Sequence, residues 1–125
     1  MKFMLDANTC IYLLADAFPA LTNRFLEQES GTVCISSIAF AEVALGSHTG
    51  KSPPMAILDA LVDEVPLVPF DANAARAYAG LPFKRANFDR LIAAHALSLG
   101  LTVITRNTKD VADVPGLAVE NWAAE

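Results

Sequence analysis

The chain has 125 residues, 54% of them hydrophobic, and fourteen acidic side chains against nine Lys plus Arg give it a net charge of −5 at neutral pH. That length supports one hydrophobic core, and a mean hydropathy of +0.38 excludes the polar, highly charged composition that keeps chains disordered. The longest uncharged stretch, Leu91 to Thr105, has 15 residues, short of the ~18 to 20 apolar residues of a membrane span. The apolar run Phe3 to Leu5 before Asp6 is too short for an export signal. The expectation is one soluble cytoplasmic domain, residues 1–125, with no membrane partner. Cys10 and Cys34 lie in apolar surroundings without CxxC spacing or nearby histidines, and so are expected to be reduced core residues, binding no zinc and forming no disulfide.

In chain order, Lys2 to Leu5 is a short apolar run followed by Asp6-Ala7-Asn8-Thr9, which carries helix-start chemistry: a buried strand, then a helix, with Asp6 at the strand's carboxyl end. Pro19 opens a second helix, with Leu21, Phe25 and Leu26 at helical spacing and Gly31 as its stop. Thr32 to Ile35 reads as a second buried strand, and Ser36-Ser37 caps a helix from Ile38 to about Leu45 that Gly46 ends. After the loop Gly50 to Pro54, the spacing of Met55, Leu58, Leu61 and Val62 predicts an amphipathic helix, and Val65 to Val68 a short strand interrupted by Pro66. Asp71 caps a helix to about Ala79 and Asn87 caps another to about Leu99, which Gly100 closes. Leu101 to Thr105 is the last strong strand, and Leu117 to Trp122 adds a weak edge strand. Strands separated by helices imply right-handed crossovers, hence an α/β fold with a parallel sheet of four to five strands between helical layers. Ligands of such sheets sit beyond the carboxyl ends of the strands.

Four acidic positions stand out against that frame. Asp6 ends the first strand, Glu42 interrupts the apolar run Ile38 to Leu45, Asp89 lies in the first turn of a helix continuing Leu91-Ile92-Ala93-Ala94, and Asp110 follows the last strand. Each has a purely structural alternative: a helix cap for Asp6, a helix-dipole partner for Asp89, a turn residue for Asp110. Glu42 fits such an alternative least, because a mid-helix carboxylate among apolar neighbours is desolvated without compensation. Carboxylates converging at one sheet edge stay ionised together most readily around a divalent cation, and oxygen-only ligands suit Mg²⁺ or Mn²⁺ better than zinc. The chemistry that best fits is hydrolysis of a phosphodiester. Charge is also uneven: residues 76–109 carry six basic groups and one acidic group, whereas residues 1–75 and 110–125 are net acidic. Lys84, Arg85 and Arg90 flank Asp89, and Arg106 and Lys109 flank the exit of the last strand, so these five are the candidate contacts to the phosphates of a polyanion, which the resemblance below implies is RNA.

Four segments in order, Phe3-Met4-Leu5-Asp6-Ala7-Asn8, Ile35 to Gly46, Phe88 to Ala96, and Thr105-Arg106-Asn107-Thr108-Lys109-Asp110 with the Val114 to Trp122 tail, resemble the PIN-domain ribonucleases. Within that fold the similarity is to the VapC-type toxins of bacterial type II toxin–antitoxin pairs. The resemblance implies a PIN-like three-layer α/β/α domain. It also implies an endoribonuclease that cleaves cellular RNA, tRNA or rRNA, with Mg²⁺ or Mn²⁺ and so inhibits translation. As partners it implies a second copy in a homodimer and a cognate antitoxin, through which alone the complex meets operator DNA. Position by position, Asp6, Glu42 and Asp89 would be the catalytic, metal-binding carboxylates. Many PIN domains have an Asp where this chain has Asn107. The fourth acidic position then falls to Asp110 as an outer or second-metal ligand, with Asn107 and Thr105 orienting water or supporting the ligands. The link Leu81 to Asn87 is shorter and more basic than is usual in these toxins. A second reading, a non-catalytic PIN-like module that binds RNA or a partner, shares every structural feature. A phospho-acceptor domain also places an Asp at a strand end, but this chain lacks the adjacent acidic pair such a domain has there. Tyr12, Leu13, Phe18, Leu21 and Phe25 are read as a possible antitoxin groove, with core packing the alternative. His95 and Trp122 are expected to be packing residues and His48 an exposed loop residue.

Overall fold

A computed structural model describes residues 1–82 and 84–124. Its elements are β1 (Phe3–Leu5), α1 (Ala7–Leu14), α2 (Pro19–Leu26), β2 (Val33–Ser36), α3 (Ser37–His48), α4 (Met55–Glu64), β3 (Leu67–Val68), α5 (Ala72–Ala79), α6 (Phe88–Leu99), β4 (Thr102–Ile104) and β5 (Val119–Glu120), with a 3₁₀ turn at Thr108–Val111. The strands form one parallel sheet in the order β3-β2-β1-β4-β5. The chain moves outward from β1 through β2 to β3, then crosses back to β4 and continues to β5. Right-handed crossovers in these two directions put α1–α4 on one face and α5–α6 on the other. α1 and α4 pack on α3, and α5 along α6, in keeping with this, and α3 also meets α6, where His95 reaches Ser36. The reversal makes the boundary between β1 and β4 the switch point of the sheet, where a crevice opens beyond the strand ends.

The central strands are buried on both faces, and Met4, Leu5, Cys34, Ile35, Ile104 and Ile92 form the middle of the core. Both cysteines are free and buried there. Trp122 is also buried, with its ring edge-on to Phe3 at 4.9 Å, and closes the sheet beside β4 and β5. His95 is buried on α6, its Nδ1 2.8 Å from Ser36 Oγ, so it ties α6 to the start of α3. No helix among the described residues is long and apolar enough to cross a membrane.

Two expected helix ends shift. α3 runs through Gly46 to His48, because the left-handed backbone that stops it belongs to Gly50 (φ +92°). α2 ends at Leu26, and Gly31 (φ +87°) serves the turn into β2 instead. Pro66 stands just before the edge strand β3, where its carbonyl still accepts from Ile35 N at 2.9 Å and its missing N–H costs no ladder bond. Leu21 is a core residue and Tyr12, Leu13, Phe18 and Phe25 pack against the core, so ordinary packing accounts for most of the expected groove.

Candidate active site

The switch point gathers side chains from β1, α3, α6 and the segment after β4. Asp6 leaves β1 as the N-cap of α1, where its Oδ1 accepts from Thr9 N at 2.8 Å. Thr9 Oγ1 in turn donates to Ile104 O at 3.1 Å, which pins the first turn of α1 to β4. Asp6 is 4% exposed. One oxygen is committed to the cap, while the other is left to the crevice. α6 begins beside it: Asn87 caps the helix by accepting from Arg90 N at 2.9 Å, and Asp89 lies in the first turn. Glu42 reaches in from α3 with its Oε1 buried and without a hydrogen-bond partner among the described residues.

The electrostatics follow from this crowding. Burial pushes the Glu42 carboxyl up to about 7, and the charges of Asp89 and Asp6 push in the same direction. Asp89 is also raised, first by burial and then by Asp6 and Asp110, while a side-chain hydrogen bond from Asn107 opposes the shift. The four carboxylates singled out in the sequence are therefore neighbours. Asn107 stands among them, its backbone N–H donating to Thr105 Oγ1 at 3.0 Å and its Nδ2 to Asp110 Oδ2. Asn107 and Asp110, the two candidates for the fourth acidic position, thus form a hydrogen-bonded pair. Among the described residues no three carboxylate, imidazole or thiol groups converge tightly enough to enclose one ion unaided.

The five basic candidates separate into three groups. Arg90 is a correction: it is 2% exposed and points into the fold. Its guanidinium forms a fork with Asp113 at 3.0 and 3.1 Å and donates to Pro82 O at 3.0 Å and Asp110 O at 3.4 Å. With these donors committed and the group buried, no phosphate reaches it. The Arg90 bonds in turn hold the Asp113 carboxyl down at about 2. Lys84, which shares Asp113 at 3.3 Å, lines with Arg85 and Lys109 a cleft of about 300 Å³ that reaches Asp110, and all three are exposed. Arg106 borders a second cleft of about 320 Å³, on the Asp6 side, with Asn8, Tyr12, Thr105 and Asn107. Asn8, Tyr12 and Asp113 were not among the site residues expected from sequence. Asn8 had a legible signal, a polar residue two positions after Asp6 on an otherwise apolar helix, whereas Asp113 had none. A wider concavity, about 430 Å³ between the end of α2 and the end of α4, opens near Gly31 and Val33, at the amino end of β2 and away from the carboxylates.

Residues 3–117 match the family model of the PIN domain. The tRNA(fMet)-specific endonuclease VapC of Shigella flexneri is 32% identical over 132 aligned positions, covering 98% of this chain and 99% of that protein. Among solved structures, the DNA-bound VapBC from Salmonella typhimurium contains a chain that superposes with a TM-score of 0.84 at 30% identity, covering 98% of both chains. VapBC2 from Rickettsia felis, bound to a DNA fragment from its promoter, contains another with a TM-score of 0.83 at 28% identity, covering 98% of this chain and 99% of that one.

Proposed function

The chain belongs to the PIN-domain family, and on that premise we propose that it is a cytoplasmic endoribonuclease toxin that cuts cellular RNA with Mg²⁺ or Mn²⁺ and is neutralised by a cognate antitoxin. Transfer RNA is the first substrate to test, because the Shigella flexneri relative is named for it. The antitoxin follows from the VapBC complexes whose toxin-like chains this one superposes on, and operator DNA would be met only through it. A homodimer is the expected assembly of the toxin itself.

The observation that carries the reading is the buried Glu42 Oε1, without a hydrogen-bond partner among the described residues, on a carboxyl that also feels the charges of Asp89 and Asp6. A buried carboxylate oxygen without a donor is costly, and nearby carboxylates make it costlier. The donor set fits a hard divalent cation: Asp6, Glu42 and Asp89 as ligands, Asp110 outside them, oxygen throughout. Because no three of the described groups converge on one point, at least one of these carboxylates would act through an ion-bound water, as Mg²⁺ sites with one or two direct carboxylates allow. When bound, such an ion supplies an activated water and offsets the charge that grows on the phosphoryl oxygens. Asp6 is held rigid by its cap bond, and Asn107 with Thr105 behind it fixes Asp110 and restrains Asp89. Arg85, Lys109, Arg106 and, beyond its Asp113 contact, Lys84 offer the cationic border that draws in the RNA backbone.

Purified protein incubated with total tRNA and Mg²⁺ or Mn²⁺ is expected to release discrete fragments, and EDTA to stop it. Asp6→Asn keeps a competent helix cap and should lower the cleavage rate at least about 100-fold with little change in Tm. Equal activity in EDTA or in Asp6→Asn would overturn the reading, and RNA binding without cleavage would favour the non-catalytic module instead.

A further inference from the structure

We propose that Arg106, seated on Tyr12 and Phe18, is the positioning residue of a nucleotide subsite for unpaired RNA on the Asp6 side of the carboxylates. The inference rests on the nuclease reading and specifies how the substrate lies in that site. Three observations carry it.

The first is the seat. The Arg106 guanidinium lies 4.4 Å from the Phe18 ring centroid and 5.4 Å from that of Tyr12, and the two rings meet edge to face at 5.2 Å. The turn that presents Phe18 is itself fixed: Asp16 Oδ1 accepts from Thr22 Oγ1 at 2.7 Å, and Ala17 N donates to Tyr12 O at 3.0 Å. A planar cation held on aromatic rings keeps its N–H fork in one orientation, so less freedom is lost when it grips a phosphate.

The second is that this cation is not consumed. Among the described residues Arg106, like Arg85 and Lys109, forms no ion pair, although Asp6 lines the same cleft, whereas Arg24, Lys84 and Arg90 each pair with a carboxylate. Arg106 is exposed and lines the cleft beside Asp6. Its Cζ lies over both rings, and its exposure in the cleft leaves N–H donors open to a ligand.

The third is the shape of that cleft. Its volume of about 320 Å³ is at the small end of ligand sites, which start near about 300 Å³, and suits a single nucleotide better than a duplex. The carboxamides of Asn8 and Asn107 supply neutral donors and acceptors on its walls. A small crevice lined by Asp6, Asp89 and Asn107 adjoins it, and the cleft of Arg85 and Lys109 reaches Asp110, the hydrogen-bond partner of Asn107. A strand crossing from one cleft to the other lays a phosphodiester over Asp6 and Asp89, with a nucleotide held on each side. Recognition of this kind favours loops and other unpaired segments, where a guanidinium can grip the phosphate and stack on a splayed base.

The test uses the full chain carrying Asp6→Asn, so that RNA stays intact in the presence of Mg²⁺, and a fluorescein-labelled unpaired RNA of about twelve nucleotides. Fluorescence anisotropy is measured across a salt series. Adding Arg106→Gln is expected to raise Kd about tenfold and to flatten the salt dependence by about 0.7 in log–log slope, the share of one phosphate contact on a single strand. Arg106→Lys should restore the slope but not the full affinity, and Phe18→Leu, which keeps the charge but removes half the seat, should raise Kd with the slope unchanged. An Arg106→Gln protein that binds within about twofold of its parent with the same slope would overturn the subsite. The nuclease reading is judged separately, from cleavage by the protein with Asp6 intact: cleavage together with Arg106-independent binding sinks the subsite alone, and Arg106-dependent binding without cleavage sinks the nuclease alone.

Discussion

Glu42 should destabilise the metal-free protein above neutral pH, and replacing it with Gln should reveal by how much. The carboxyl has an ordinary value of 4.5 and is pushed up to about 7 in the fold by burial and by Asp89 and Asp6. Folded Glu42 therefore holds its proton more tightly than the unfolded chain does. Its contribution is favourable below 4.5, declines as pH rises, and is lost once pH passes about 7. At about 1.4 kcal/mol per pH unit of separation the gap amounts to about 3 kcal/mol at most, and because the group keeps partial solvent contact we expect about 1–2 kcal/mol in practice. Glu42→Gln cannot ionise, so it should match the parent at about pH 4 and exceed it at pH 8.5 by that amount, roughly 4–8 °C in Tm for a domain of this length.

The assay is urea or thermal unfolding of both proteins in EDTA at the two pH values. Comparing the proteins at each pH cancels the titration of His95, which falls in the same window. Adding Mg²⁺ at pH 8.5 should raise the Tm of the parent, since a ligand of the folded state adds about 2.7 kcal/mol at one hundred times its Kd, and should raise that of Glu42→Gln less. A variant no more stable than its parent at pH 8.5, or equally stabilised at both pH values, would refute the account of Glu42 as an uncompensated buried carboxylate.

Other outcomes follow from the same geometry. Arg90→Met should lower Tm by on the order of 10 °C, because it removes a buried guanidinium whose donors tie together Asp113 and the Pro82 and Asp110 carbonyls, leaving Asp113 to Lys84 alone; a melting curve unchanged within about 2 °C would return Arg90 to the RNA contacts. His95 is buried, and desolvation holds its pKa below the ordinary 6.5 despite the opposing influence of Asp71 and of the Pro69 carbonyl. The neutral ring's contribution is therefore complete above 6.5 and lost as pH falls through the lower folded value. Urea unfolding of His95→Gln should accordingly lose less stability than the parent between pH 7.5 and pH 5, and parallel losses would show that the imidazole does not drive the acid sensitivity.

The order of strands and helices was legible because glycines, prolines and cap residues punctuate the apolar runs: Asp6, Ser36, Asp71 and Asn87 all cap the helices expected of them. Gly46 misled because a glycine can also sit inside a helix, and the left-handed turn that stops α3 comes only at Gly50; no single sequence reveals φ. Glu42 stood out since burial of a charge shows as a polar residue in an apolar helix. Arg90 was misread for a related reason. Adjacent helix residues point about 100° apart, so proximity to Asp89 in sequence said nothing about which way the guanidinium faces. The helical phase would have suggested it: Arg90 shares a face with Ala93, Ala94 and Leu97, of which the two alanines are fully buried. The seat of Arg106 was beyond reach, because it joins the turn before α2 to the exit of β4, two segments that only the sheet topology brings together.

Asp6 shows why the structural and functional readings of such residues are poor alternatives to one another. A carboxylate has two oxygens. One accepts the Thr9 N–H and holds the start of α1, and the geometry of an N-cap leaves the second pointing back over the strand end. In a parallel sheet that direction is the ligand crevice. The cap bond removes rotational freedom from the side chain, so an ion or phosphate arriving at the second oxygen meets a ligand already fixed. Asn at this position would preserve the cap and remove the charge. The Asp6→Asn protein is therefore expected to separate the two roles, with the melting temperature reporting the first and cleavage the second. If both fell together, the carboxylate would be serving the fold through its charge, and the case for a catalytic Asp6 would rest on the other three acidic groups alone.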